Sequence, residues 1–141
     1  MKPTALKLEL TELALVAAGA IPGALLRWYL EGLTPGLVGA PTSAVWAATL
    51  RADLVANLLG CLGLGLLIGA GLPPKPARPR LYLWAGVGFC GSLTTFSTWM
   101  LVTSLALAQG QIGLAASVLG ASLLGGLVAL AAGFFTGRRW R

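Results

Sequence analysis

The stretch Gly88-Phe89-Cys90-Gly91-Ser92-Leu93-Thr94-Thr95-Phe96-Ser97-Thr98-Trp99 lies in the middle of an apolar segment long enough to cross a membrane, yet it is made of residues that interrupt helices. Seven of the eleven residues 88–98 are Gly, Ser or Thr, which weaken a helix or offer its backbone competing hydrogen bonds. In lipid, non-helical backbone persists only where it is buried in protein or lines a watery cavity. The stretch therefore predicts a broken transmembrane helix whose freed backbone and flanking aromatics handle an ion.

Composition supports the membrane setting. Of 141 residues, 57% are hydrophobic and 10% charged, whereas charged residues make up about a quarter of a soluble domain. With about 20 apolar residues per crossing, the chain reads as a single all-α domain over 1–141 with four spans, at 13–30, 44–71, 81–108 and 112–136. As one unbroken helix the 28 residues of the third span would reach about 42 Å, beyond a hydrocarbon core of about 30 Å. That surplus fits a break in its middle. Four short helices enclose little by themselves, so oligomerisation is expected.

The net charge of +6 is carried at the ends of apolar segments, by Lys75, Arg78 and Arg80 in one turn and Arg138, Arg139 and Arg141 at the C-terminus. This is the pattern of topology signals and headgroup anchors; without a soluble basic domain it does not point to nucleic acid. Eight basic residues fall on the side holding both termini, against Arg27 and Arg51 on the other, so both termini are expected in the cytoplasm. Cys61 and Cys90 lie inside spans and the chain has no His, which argues against a zinc or haem site. No coupled carboxylates and no base beside the hydroxyls of Ser92, Thr94, Thr95, Ser97 and Thr98 are evident, so an enzyme is not expected.

Residues 1–11 read as an interfacial preamble, with a short helix that sets Leu6, Leu8 and Leu10 near the headgroups as one form of it, and the long run 13–30 as a retained span rather than a leader. Gly19-Ala20-Ile21-Pro22-Gly23 predicts close packing with a kink. Gly and Pro at 32–41 mark a loop, after which Thr42 or Ser43 offers a helix N-cap. Asp53 and Asn57 stand one turn apart on one face of the second span. An asparagine that deep in an apolar helix either joins helices or lines a path. Asp53, near the boundary shared with Arg27, is expected to pair with it as a structural ion pair. The prolines of 73–80 separate spans two and three, and the small residues of the fourth span suit close packing.

These motifs resemble the Fluc, or CrcB, fluoride channels of bacteria. The likeness covers nearly the whole chain: the glycine-rich segment ending at Arg27, Val55-Ala56-Asn57-Leu58-Leu59-Gly60, and above all the run 88–98. It implies an antiparallel dimer of four-helix subunits in the cell inner membrane, exporting fluoride passively and lowering its cytoplasmic level. It also implies a structural sodium ion at the dimer centre, held by the carbonyls of Gly91 and Thr94. Asn57, Phe96, Trp99, Ser122 and Thr95 would line the fluoride pore, with amide and ring-edge hydrogens replacing the ion's water. Three positions depart from the family pattern: Trp99 stands for a phenylalanine, Val118 for a tyrosine and Asp53 for a threonine. A homodimer is the reading adopted; a subunit of a two-chain channel is the alternative raised by the charge asymmetry. A small proton-coupled multidrug exporter would need a carboxylate inside the first span, and residues 13–26 hold none. A transport-free membrane subunit would leave the cluster 94–98 unexplained.

Overall fold

The computed structural model describes residues 5–33, 42–71 and 79–140, with side chains from residues 8, 51 and 80 onward in those stretches. The expected loop after residue 33, the prolines 73–76 with Lys75 and Arg78, and the caps Thr42 and Ser43 fall outside the described residues or side chains. Every regular element described is helical: α1 (Ala5–Gly32), α2 (Thr42–Gly69), a single turn α3 (Pro79–Leu81), a π-helical segment (Tyr82–Cys90), α4 (Gly91–Leu93), α5 (Ser97–Ala108) and α6 (Ile112–Arg138). Four stretches, Leu8–Gly32, Arg51–Gly69, Tyr82–Ala108 and Ile112–Arg138, are long and apolar enough to cross a membrane.

The first helix differs from expectation. It runs unbroken from Ala5, so the preamble from that residue onward is not a separate short helix but one helix with the span. Residues 5–12 contain neither Gly nor Pro and are mostly strong helix formers, so nothing stops the helix from propagating outward.

The helices form two parallel pairs, each joined over glycine. In the first, α1 lies along the π segment: a Cβ on Gly19 would strike the Trp84 carbonyl, one on Gly23 the Phe89 carbonyl, and one on Gly88 the Val16 carbonyl. In the second, α2 lies along α6: Gly65 and Gly69 abut the Leu130 and Phe134 carbonyls, while Gly133 and Gly137 abut those of Leu62 and Leu66. Numbers rise together across both seams, so the partners run the same way. Backbones meet directly in this fashion because lipid offers no hydrophobic drive between helices, and close van der Waals contact has to supply the attraction.

The third span is where regularity fails. After Pro79, at the first helical position where its missing N–H costs nothing, the chain widens into nine residues of π pitch. The Gly91 N–H reaches back to the Gly86 carbonyl. Helix ends at Leu93, and residues 94–96 are non-helical before α5 begins. Thr94 leaves the helical region for an extended conformation, with φ −78° and ψ 149°.

Candidate functional site: a cavity at the third-span break

A break inside a membrane leaves backbone groups that must find partners, and the structure shows where each goes. The Thr95 N–H, which in a continuous helix would bond the Gly91 carbonyl, donates instead to Asn57 Oδ1 at 2.7 Å. Asn57 Nδ2 in turn donates to the Thr95 carbonyl at 2.8 Å. One side-chain amide on α2 thus replaces both rungs of the lost ladder at Thr95. Sequence reasoning left open whether Asn57 joins helices or lines a path; it joins them through both polar atoms, and one N–H of its amide remains for another acceptor.

The upstream end of the break is closed by Thr94. Its N–H bonds the Cys90 carbonyl at 3.1 Å, and its hydroxyl donates to the carbonyls of Cys90 at 3.1 Å and Gly91 at 3.2 Å. Gly60 on α2 makes this possible, since a Cβ there would collide with the Thr94 methyl. With Thr95 diverted to Asn57, the Gly91 carbonyl loses its N–H partner along the helix, and among the described residues the Thr94 carbonyl accepts no backbone N–H. Two carbonyl oxygens therefore stand off the ladder at one point.

A cavity of about 520 Å³ opens at this point. All seven residues expected at the pore or the cation site line it: Asn57 from α2, Gly91, Thr94, Thr95, Phe96 and Trp99 from the third span, and Ser122 from α6. Phe96 and Trp99 meet edge to face, with centroids 4.7 Å apart and planes at 77°. Phe96 is 65% exposed in the single chain, while Trp99 is only 9% exposed. Its carbonyl accepts the Thr103 hydroxyl at 2.6 Å. The larger ring at 99 is thus packed inward and forms a wall for Phe96. The Thr95 and Ser97 hydroxyls share a hydrogen bond of 3.1 Å. Val118, one turn before Ser122, is buried and lies outside the lining.

Sequence reasoning did not assign Gly60, Cys61 and Leu64 to the site, although they line the cavity. Their spacing from Asn57, at i+3, i+4 and i+7, was the signal. Ser92, one of the hydroxyls expected to bond backbone or ion, does bond backbone: it crosses to the Ala20 carbonyl of α1 at 2.9 Å and so ties the broken span to its neighbour.

The charged pair is arranged differently from expectation. Asp53 is 2% exposed, and among the described residues neither its carboxylate oxygens nor the buried Nε of Arg27 has a hydrogen-bond partner. Arg27 and Asp53 are therefore not joined by a hydrogen bond through these atoms. Glu31 interacts electrostatically with both. It follows Arg27 by four residues on the same helix face, so Glu31 stands between the two charges that the sequence pairs directly. Neither Arg27 nor Asp53 lines the cavity.

Known proteins supply an independent comparison. The profile of the family described as "CrcB-like protein, Camphor Resistance (CrcB)" matches residues 14–134. A "Fluoride-specific ion channel FluC 2" of Parasynechococcus marenigrum is 44% identical over 136 residues, covering 96% of this chain and 88% of that protein. A "Fluoride-specific ion channel FluC" of Pseudomonas putida is 43% identical over 124 residues, 86% of this chain and 92% of the relative. One from Methanocaldococcus jannaschii is 35% identical over 102 residues, 72% and 73% of the two chains. With four membrane-crossing stretches and this match over most of its length, the chain is a multi-pass membrane protein belonging to the CrcB family.

Proposed function

We propose that this chain forms a fluoride-selective channel that lets fluoride leave the cytoplasm passively across the inner membrane. The observation that carries the reading is the convergence on one cavity of the Asn57 amide, the Phe96 and Trp99 rings and the Ser122 hydroxyl, in a chain whose relatives are named fluoride-specific channels. Fluoride is small and tightly hydrated, so a path through a membrane has to replace its water with compact donors. The remaining N–H of Asn57, the hydroxyls at Thr95 and Ser122, and the positive edge of an aromatic ring are such donors. A larger halide gains less from each and fits a narrow bore worse.

Assembly and cation belong to the same proposal. Phe96 stands largely exposed on the single chain, and the cavity it lines is open, which supports completion of the pore by a second, antiparallel copy. The Gly91 and Thr94 carbonyls suit a structural Na⁺, because oxygens released from a helix ladder are the donors a hard cation prefers. When bound, such an ion supplies positive potential beside an anion path. This chain's own contribution is to hold the two carbonyls off the ladder, through Asn57 and the Thr94 hydroxyl.

The test is efflux from liposomes loaded with fluoride or chloride. Fluoride release without chloride release is expected, with Phe96→Ile abolishing it while the protein still elutes as the same oligomer. Equal chloride release, silence toward both ions, or full flux through Phe96→Ile would each overturn the reading. Accessibility of a C-terminal tag from both faces is expected for a homodimer; a single orientation would require a second, different chain.

A further inference from the structure

A second, smaller cavity lies away from the break, against the α2 and α6 helices near their C-terminal ends. It measures about 300 Å³ and is walled by Gly65 and Ile68 of α2 and by Leu127, Leu130, Ala131, Phe134 and Phe135 of α6. No wall residue carries a side-chain donor or acceptor. Leu127 and Phe135, eight residues apart and both 62% exposed, bound about 12 Å of helix along it. Its far end is charged: the Arg138 guanidinium lies 5.7 Å from the centroid of the Phe134 ring that forms part of the wall, and Arg139 beside it is exposed.

We propose that this groove binds one acyl chain of an anionic phospholipid, whose phosphate is held by Arg138 and Arg139. The two halves of the site match the two halves of such a molecule. A groove lined only by hydrocarbon and opening sideways in a bilayer takes a hydrocarbon tail without leaving any polar group unpaired. Paired guanidiniums at the membrane boundary attract the headgroup phosphate, and a guanidinium presents its donors in a fork that fits phosphate oxygens.

Among the described residues neither Arg138 nor Arg139 makes an ion pair within the chain. Of the four acidic residues, Glu31 lies beside Asp53 and Arg27, away from this end, while Glu9 and Glu12 stand near the start of α1, on the side of the termini. The two arginines therefore keep donors for a ligand's phosphate. The C-terminal dipole of α6 favours the arginines but leaves their outward-facing donors for a ligand. The inference concerns a different face from the break and stands whether or not the channel reading holds.

The experiment uses the full chain in mild detergent, titrated with palmitoyloleoylphosphatidylglycerol or palmitoyloleoylphosphatidylcholine, with retained lipid counted by native mass spectrometry. The phosphatidylglycerol is expected to be retained roughly 30-fold more tightly, the contribution of two basic residues near a membrane surface. In Arg138→Gln/Arg139→Gln, an exposed double change that leaves the core untouched, the preference should fall to near unity. Ala131→Phe, which fills the groove, should reduce retention of both lipids while the elution volume stays the same. Equal retention of the two lipids by the unaltered chain, or a preference that survives the double change, would overturn the proposal. So would an Ala131→Phe chain that keeps its lipid but loses self-association, which would assign the groove to a second copy.

Discussion

The two parallel helix pairs are joined over glycine in the same way and carry different loads. Between α2 and α6 the contact is continuous: both helices keep their ladders through the seam, and glycine lets carbonyls on one rest against Cα atoms of the other. Between α1 and the third span the same close approach is made to a helix that is π-wound over 82–90 and broken at 94–96. Here polar bonds are added, from Ser92 to the Ala20 carbonyl and from Asn57 to both backbone groups of Thr95. Where the backbone satisfies itself, van der Waals contact is enough to join two helices in lipid. Where it does not, side chains from neighbouring elements take over the ladder, and the site forms at the point of substitution. The dry pair carries Asn57 and Ser122 as a frame; the interrupted pair brings Phe96 and the freed carbonyls to it.

The harshest way to break the frame is to add bulk at the dry seam. Gly133→Leu would drive a side chain into the Leu62 carbonyl, a collision that no rotamer relieves, and the expected cost reaches or exceeds the upper part of the ~1–3 kcal/mol range for overpacking. Gly120→Leu, on the same helix with open space where its Cβ would lie, should stay within about 0.5 kcal/mol of the parent. Thermal midpoints and recovery of the folded peak on size exclusion in detergent report both. Equal behaviour of the two variants would show that glycine contact does not hold α2 to α6.

Comparable in size is the loss of the amide that closes the break. Asn57→Ala leaves the Thr95 N–H and carbonyl without partners; at about 1–3 kcal/mol for each unsatisfied group, the cost is about 2–6 kcal/mol. Amide exchange should accelerate at Thr95 far more than along α6. Asn57→Asp keeps an acceptor for the Thr95 N–H and should preserve part of that protection, while losing the donor to the carbonyl. Unchanged exchange at Thr95 in Asn57→Ala would mean that the amide is not what holds the interruption in place.

The location of the break was legible because it is a matter of composition: Gly, Ser and Thr crowd residues 88–98 in a span too long for the bilayer. The convergence of Asn57, Phe96, Trp99 and Ser122 was legible through family likeness, and the cavity brings them together. Three features were hidden for a common reason. The π pitch of 82–90 is a choice of hydrogen-bond register made where the segment meets α1, and residue preferences along one helix do not encode it. The target of Asn57 depends on how far Thr95 has left its helix, which is a tertiary fact. The continuity of α1 from Ala5 into the span needed only good helix formers, but polar residues among them read as a separate interfacial piece. Glu31 is the opposite case: its i, i+4 spacing from Arg27 is readable directly in the sequence.

The smallest effect sharpens the comparison most, because it isolates a bond that crosses a seam from one that does not. Ser92→Ala removes a hydroxyl that donates to the Ala20 carbonyl at 2.9 Å and the Phe89 carbonyl at 3.2 Å. Thr136→Val removes one that bonds only within its own helix, to the Ala132 carbonyl at 2.8 Å, on an exposed face of α6. Carbonyls inside helices keep their backbone N–H partners, so neither change strands an acceptor. Ser92→Ala should therefore cost no more than a net hydrogen bond, about 0.5–1.5 kcal/mol, and Thr136→Val less than about 0.5 kcal/mol. Thermal midpoints of the two variants in the same detergent give the difference directly. If Ser92→Ala is as silent as Thr136→Val, glycine contact alone joins both pairs, and the polar bonds at the interrupted one serve the shape of the break rather than its attachment to α1.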